Sequence, residues 1–184
     1  MINFDNVSFA FGEKQILKNF NLSIKKGDRL CIMGESGRGK TTLLRLIMGL
    51  ETANSGTVTV DSNKFGVVFQ EDRLLPFKTV KENLTLFGNE ATAKSHLACL
   101  GIADAENLYP SSLSGGMARR VAIARAFIGD RDIYILDECF NGLDAENIKK
   151  TAEFIRKNTE DKTVIAVSHD PQHAKLLNLT AITL

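Results

Sequence analysis

Apolar and polar residues alternate at period two in MINFDNVSFAFG (1–12) and again in ILKNFNLSI (16–24), with a turn at Gly12-Glu13-Lys14 between them. That alternation predicts a hairpin or a pair of edge strands, each with one buried face. After the turn KKGD, RLCIMG (29–34) is a short apolar strand. From Lys40 the period lengthens: Leu43, Leu44, Leu46 and Ile47 fall on one broad helical face that ends at Gly49. GTVTV (56–60) and FGVVFQ (65–70) read as strands, and TVKENLTLF (79–87) and ATAKSHLACLG (91–101) as two helices around a polar break. A longer helix starts at Ser114 and runs to Phe127. DIYILDE (132–138) is then a buried strand, DAENIKKTAEFIRKN (144–158) an amphipathic helix, TVIAVSHD (163–170) a strand and PQHAKLL (171–177) a short helix before the closing LTAITL. Strands and helices alternate in the first and last thirds, with a helix-only block between, which predicts an α/β core with a helical insertion.

Length and composition add bounds. The 184 residues fit a single domain with a sizeable core, and 43% apolar against 24% charged residues is ordinary for a globular chain. With 23 basic and 22 acidic residues the net charge is +1, so there is no overall electrostatic footprint for nucleic acid. Cys31, Cys99 and Cys139 have no C-x-x-C spacing and sit in or near apolar runs, the setting of buried reduced thiols. The N-terminus lacks the basic start and apolar block of a signal peptide, and no apolar run is long enough to span a membrane, so a cytoplasmic chain is expected.

The chemistry begins at Gly34-Glu35-Ser36-Gly37-Arg38-Gly39-Lys40-Thr41, a full match to G-x-x-x-x-G-K-[ST] between an apolar strand and an apolar helix. Its glycines let backbone N–H groups wrap a polyphosphate. Lys40 puts a cation on the β- and γ-phosphates, and the Thr41 hydroxyl, beside Thr42, can ligate Mg²⁺. IYILDE brings Asp137 and Glu138 to the carboxyl end of a strand, where ligands of open α/β sheets gather. An isolated acid pair there is as readily a solvated strand end. Beside a complete phosphate loop, Asp137 reads as a Mg²⁺ holder and Glu138 as the group that polarises attacking water. Gln70 and His169 also end apolar strands. The first either bridges metal and water or starts a loop, and the second is placed to touch a γ-phosphate; His96 and His173 read as surface or packing residues. SLSGGMARR (112–120) is a second half-site: Ser114, Gly115 and Gly116 open a helix with free N–H groups but bring no lysine. A plain helix cap explains Ser114, yet not paired glycines that weaken a helix.

Taken in order, Phe11, GESGRGKTT, Gln70, LSGGM, IYILDE, NGLD and SHD resemble the aromatic A-loop, Walker A, Q-loop, signature, Walker B, D-loop and H-switch of the ATPase subunits of ATP-binding cassette (ABC) transporters, nearly end to end. The resemblance implies one cassette: a P-loop NTPase core with a RecA-like mixed sheet, an antiparallel β subdomain and a small helical signature subdomain. The core would take about 1–70 and 131–184, the helical part about 71–130. It implies head-to-tail pairing with a second copy or another ABC ATPase, so that Ser114, Gly115 and Gly116 serve the neighbour's ATP. Phe11 would stack on adenine, although many relatives use Tyr, and Asp144 would communicate across the dimer. QEDRLLPFKTVKENL (70–84) and SGGM look like importers of the nitrate, sulfonate and taurine group. The partners so implied are a transmembrane permease subunit, met through residues around Leu74 to Phe87, and an extracytoplasmic solute-binding protein, with the cassette peripheral on the inner membrane face. Nucleic acid is not an expected partner. The chain departs from the pattern at Met117 for the commoner glutamine, Cys139 for proline, Asn141-Gly142 before the D-loop Asp, a short segment between Gly49 and Gln70, and an end soon after the H-switch, on which no C-terminal regulatory domain is expected. A soluble cassette ATPase working on nucleic acid or ribosomes, and a module that holds ATP without turnover, are the rival classes.

Overall fold

A computed structural model describes residues 1–35 and 37–184. The period-two segments form strands β1 (Ile2–Phe11) and β2 (Lys14–Ile24), joined by the expected tight turn and paired antiparallel. β4 (Ser55–Val60) pairs antiparallel with the other edge of β1 and completes a three-stranded sheet. A second sheet carries β3 (Arg29–Met33), β5 (Phe65–Val68), β6 (Ile133–Asp137), β7 (Thr163–Val167) and β8 (Thr180–Thr183) in the order β5-β6-β7-β3-β8. The pairings of this core sheet are parallel throughout rather than mixed; the antiparallel strands keep to their own sheet. β1 and β2 form a hairpin, and β4 joins the other edge of β1 after the chain has passed through β3; the core strands are linked through helices, and a crossover helix favours parallel return.

Alternation along the core strands explains why they read as unbroken apolar runs. Ile133, Ile135, Ile165 and Val167 face a core shared with the antiparallel sheet and with helix α1 (Lys40–Ile47). Tyr134, Leu136, Val164 and Ala166 face the opposite core. That second core includes residues of α2 (Val80–Thr85), α3 (Glu90–Cys99), α4 (Gly115–Ala126) and α5 (Ala145–Asn158). Sheets covered on both faces need such strands. The last helix, α6 (Pro171–Leu176), returns the chain to β8.

Local signals set the helix starts. Thr79 and Glu82 form a reciprocal capping box on α2, while Asn89, Ser114, Asp144 and Asp170 each accept a backbone N–H at the start of α3, α4, α5 and α6. The C-terminal end of α4 sits directly on β5: a Cβ at Gly66 would lie 2.5 Å from the Ala126 carbonyl oxygen and 2.6 Å from the Tyr134 ring. His96 is buried edge-on to Phe154, and His173 packs on Phe140, both within the packing reading. One cysteine departs from expectation. Cys31 and Cys139 are buried, but Cys99 is exposed, because it falls on the solvent side of α3 while Ala93, His96 and Leu97 take the inner face.

Candidate nucleotide site

The phosphate loop leaves β3 and enters α1 through three glycines at positive φ, namely Gly34 at 146°, Gly37 at 82° and Gly39 at 95°. Side chains rarely adopt such angles, and Gly39 is also hemmed in: a Cβ there would lie 2.6 Å from Ile16 Cγ2 of β2. Gly39 caps α1 with its backbone in the left-handed region, with no side-chain cap hydrogen bond among the described residues and no acid in the first turn. The helix start is therefore free to take an anion. Lys40 Nζ donates to the carbonyl oxygens of Gly34 (2.7 Å) and Glu35 (2.8 Å), which holds the ammonium across the mouth of the loop. Glu35 and Arg38 pair with each other at 3.5 Å on the outside. Ser36 lies outside the described residues.

β5, β6, β7 and β3 run parallel in that order and end at one edge of the sheet, and this brings the acids and the amide to the loop. Gly37, Gly39, Lys40, Thr41, Thr42, Gln70, Asp137 and Glu138 line one cleft of about 400 Å³, together with Lys14 and Ile16 from β2. The Thr41 hydroxyl donates to Asp137 Oδ2 at 3.3 Å. Burial, and secondarily the neighbouring Glu138, push the Asp137 carboxyl above its usual range. A buried carboxylate whose side chain has a hydroxyl as its hydrogen-bond partner, next to a loop that receives phosphate, suits a divalent cation. These donors fit Mg²⁺ completed by phosphate oxygens.

Glu138 stands one residue beyond β6 with φ at 48°, the left-handed region, and its N–H donates to the Val167 carbonyl of β7 at 3.0 Å. Its carboxylate oxygens both lie 3.1 Å from His169 Nδ1. The switch segment carrying His169 is fixed in turn, since the Ser168 hydroxyl sits 2.8 Å from His173 Nδ1 and accepts from Asp170 N–H at 3.1 Å.

The remaining residues read from the sequence do not line this cleft. Phe11 ends β1, half-exposed and edge-on to Phe9 at 4.8 Å. Ser114 is exposed, with its hydroxyl accepting from Met117 N–H at 3.2 Å; open space surrounds Gly115, and Gly116 faces the Gly142 carbonyl oxygen at a would-be Cβ distance of 3.3 Å. The helix start thus abuts the NGLD turn. Asp144 accepts from Asn147 N–H at 2.9 Å and from its amide at 2.7 Å, and the first of these contacts draws its carboxyl below the usual range. One chain presents a phosphate cleft and, apart from it, an open helix start.

The sequence reading passed over Arg119. It is 2% exposed within α4, and its guanidinium donates to the backbone of both β-strand ends that flank the site. Its spacing was a weak signal: Arg119, Ala122, Ile123 and Ala126 fall at i, i+3, i+4 and i+7, but Val121 and Ala124 are buried as well, so no single stripe marks it.

The ABC transporter family matches residues 17–141. The probable ABC transporter ATP-binding protein PEB1C of Campylobacter jejuni is 36% identical over 200 residues, which cover 95% of this chain and 83% of that one. The aliphatic sulfonates import ATP-binding protein SsuB of Corynebacterium glutamicum is 37% identical over 193 residues, 95% of this chain and 79% of that one. Among solved structures, the dimeric post-hydrolysis state of the cassette MJ0796 bound to ADP and Pi superposes with a TM-score of 0.85 at 34% identity, covering 100% of this chain and 94% of the other. Together with the loop, the paired acids and the open helix start, these matches establish that the chain belongs to the ABC transporter family.

Proposed function

We infer that the chain is the ATP-hydrolysing subunit of an ABC transporter, a single cassette that works as a head-to-tail pair and drives solute import through a permease. The observation that carries this reading is the division just described, a complete phosphate cleft in one place and an open helix start, without a lysine, in another. Each half requires what the other copy has, which is the condition for a closed two-fold assembly. The MJ0796 cassette, which is a dimer with ADP and Pi, supports it.

In this reading Gly34 to Thr42 wrap the phosphates, and Lys40 trades its two carbonyl acceptors for β- and γ-oxygens. Thr41 and Asp137 with Gln70 would hold Mg²⁺, which would supply charge neutralisation on the phosphates. Glu138 orients and polarises the attacking water, and His169, already 3.1 Å from its carboxylate, steadies it and reaches toward the γ-phosphate. Phe11 stacks on adenine. Ser114, Gly115 and Gly116 of the partner cap the γ-phosphate, and Asp144, beside the same turn, links the two sites. Residues 1–70 and 131–184 act as the core, and 71–130 as the helical part that moves with nucleotide.

The permease docks beside Gln70. Leu74 is anchored in the core there, while Leu75 and Phe77 are exposed, Phe77 by 91%. These two exposed apolar side chains, just beyond Gln70 in the chain, are the surface offered to such a contact. No described helix is long and apolar enough to cross a membrane, so a membrane role runs through that partner. The sulfonate-importer relatives support an organic anion as cargo, while similar identity to a glutamine-transport ATP-binding protein of Bacillus subtilis leaves amino acids as the competing class; a binding protein on the far side completes the proposed import system. The transport relatives speak against ribosome or nucleic-acid work.

The test is light scattering on Glu138→Gln with and without ATP. ATP-dependent dimerisation that Ser114→Arg abolishes is the expected result. A Glu138→Gln protein that binds ATP and stays monomeric at saturating nucleotide refutes the shared site.

A further inference from the structure

We propose that Arg119 is a positioning residue for ATP hydrolysis, a brace that ties the start of α4 to the backbone holding Asp137 and Glu138. The proposal rests on the ATPase reading above. Arg119 Nε donates to the Cys139 carbonyl at 3.1 Å, and Nη2 to the carbonyls of Asp137 (3.2 Å) and Glu138 (2.6 Å). Nη1 donates to the Phe69 carbonyl at 2.6 Å and to Asp72 Oδ1 at 3.1 Å. These five contacts match the five N–H groups of a guanidinium.

A buried cation is costly unless fully bonded, and Asp72 is its carboxylate partner here. The placement of the remaining acceptors is what points to function. Three are the successive carbonyls of the acid pair and the residue after it, and the fourth immediately precedes Gln70. Glu138 also needs holding, because its left-handed φ of 48° is unfavourable for a side-chain-bearing residue. Its N–H is fixed by Val167, and its carbonyl is shared between Arg119 and Asn141 N–H. The direction of the Glu138 carboxylate follows from that backbone.

Arg119 stands on the same helix as Ser114, Gly115 and Gly116, five residues beyond Ser114. A shift of the α4 start therefore pulls on the hydrolytic carboxylate and on Gln70 through a single side chain. Arg125, further along α4, grips the same loop through the carbonyls of Asp72 (2.8 Å) and Arg73 (2.8 Å), so loop and helix move as one piece.

The experiment compares wild type with Arg119→Lys, which keeps the charge and loses the fork, and Arg119→Met, which keeps the stem alone. Steady-state phosphate release gives kcat, and a fluorescent ATP analogue gives nucleotide affinity. Cooperative thermal melts give the folded fraction. The expected result is at least a tenfold fall in kcat per folded molecule in both variants, with affinity within threefold of wild type. Adding Arg119→Lys to Glu138→Gln should cause no further loss of residual turnover. A kcat within threefold of wild type, parallel loss of kcat and affinity, or losses that multiply in the double variant overturns the inference. If Arg119→Met does not fold, Arg119→Lys decides alone. A wild-type chain that neither binds nor hydrolyses ATP overturns the ATPase reading and this inference together.

Discussion

Gly37 and Gly39 belong to the same loop, yet alanine should cost very different amounts at the two positions. Both have positive φ, at 82° and 95°, so either alanine meets the left-handed penalty of about 1–2 kcal/mol, partly offset by a less flexible unfolded chain. At Gly37 nothing stands within 4 Å of the new methyl, and the net cost should be about 1 kcal/mol. At Gly39 the methyl would come to 2.6 Å from Ile16 Cγ2, so the β2 side chain must move, and overpacking adds about 1–3 kcal/mol. For a chain of this size about 1 kcal/mol moves the thermal midpoint by roughly 2–4 °C. Gly37→Ala should thus lower the midpoint by that much, and Gly39→Ala by about three times as much. The clash can be isolated with Ile16→Ala, which removes the obstructing atom. In urea unfolding without nucleotide, the Gly39→Ala and Ile16→Ala effects should be non-additive by about 1–3 kcal/mol, the double variant being more stable than the sum implies. Equal costs at the two glycines, or additivity within about 0.5 kcal/mol, would refute the steric argument.

The thiols offer a second check: burial pushes Cys31 up to about 11 and Cys139 up to about 12, while Cys99 is exposed. Native protein near pH 8 should release one equivalent of thiol quickly to a disulfide reagent, and Cys99→Ser should remove it; two fast equivalents would contradict the packing around Cys31 and Cys139. Burial lowers the His96 pKa, with the weaker Ala124 carbonyl contact opposing it. The folded chain then keeps this ring neutral where the unfolded chain protonates it. Its stability contribution is full above the ordinary value of about 6.5, falls as pH drops through that value, and levels off below the folded pKa. His96→Gln, which can still donate to the Ala124 carbonyl, should flatten the decline of the thermal midpoint between about pH 7.5 and 5.5, and an unchanged slope would remove His96 from the account.

Much of this molecule is legible before any coordinates. Strand and helix periods, the loop glycines and the placement of Gln70, Asp137, Glu138 and His169 at strand ends all follow from local pattern, because period and turn chemistry act over a few residues. Long-range placements were less accessible. The parallel order of the core sheet depends on crossovers that no single window contains. Cys99 sits in an apolar run, AKSHLACL, whose buried face is set by the register of α3 against α4 and α5. Arg119 lies in GGMARRVAIARA, a helix with apolar residues on several sides, so its place on the inner stripe is hidden among arginines that read as solvent-facing. Nor does sequence show the φ of 48° at Glu138, which is imposed by Val167, Arg119 and Asn141 from three directions.

The contact at Gly66 gives α4 a fulcrum. With no side chain between β5 and the Ala126 carbonyl, the end of the helix bears on the sheet and has no slack in which to slide. The 12 residues from Gly115 to Ala126 form a lever whose arm is about 18 Å at 1.5 Å per residue. A tilt of about 10° at the fulcrum would carry the Ser114 tip about 3 Å, which in the proposed pair is the difference between touching a phosphate oxygen and missing it. In the proposed pair, the missing side chain at Gly66 would thereby set the gearing by which a small rotation of the helical block opens or closes the shared site at the far end of the rod.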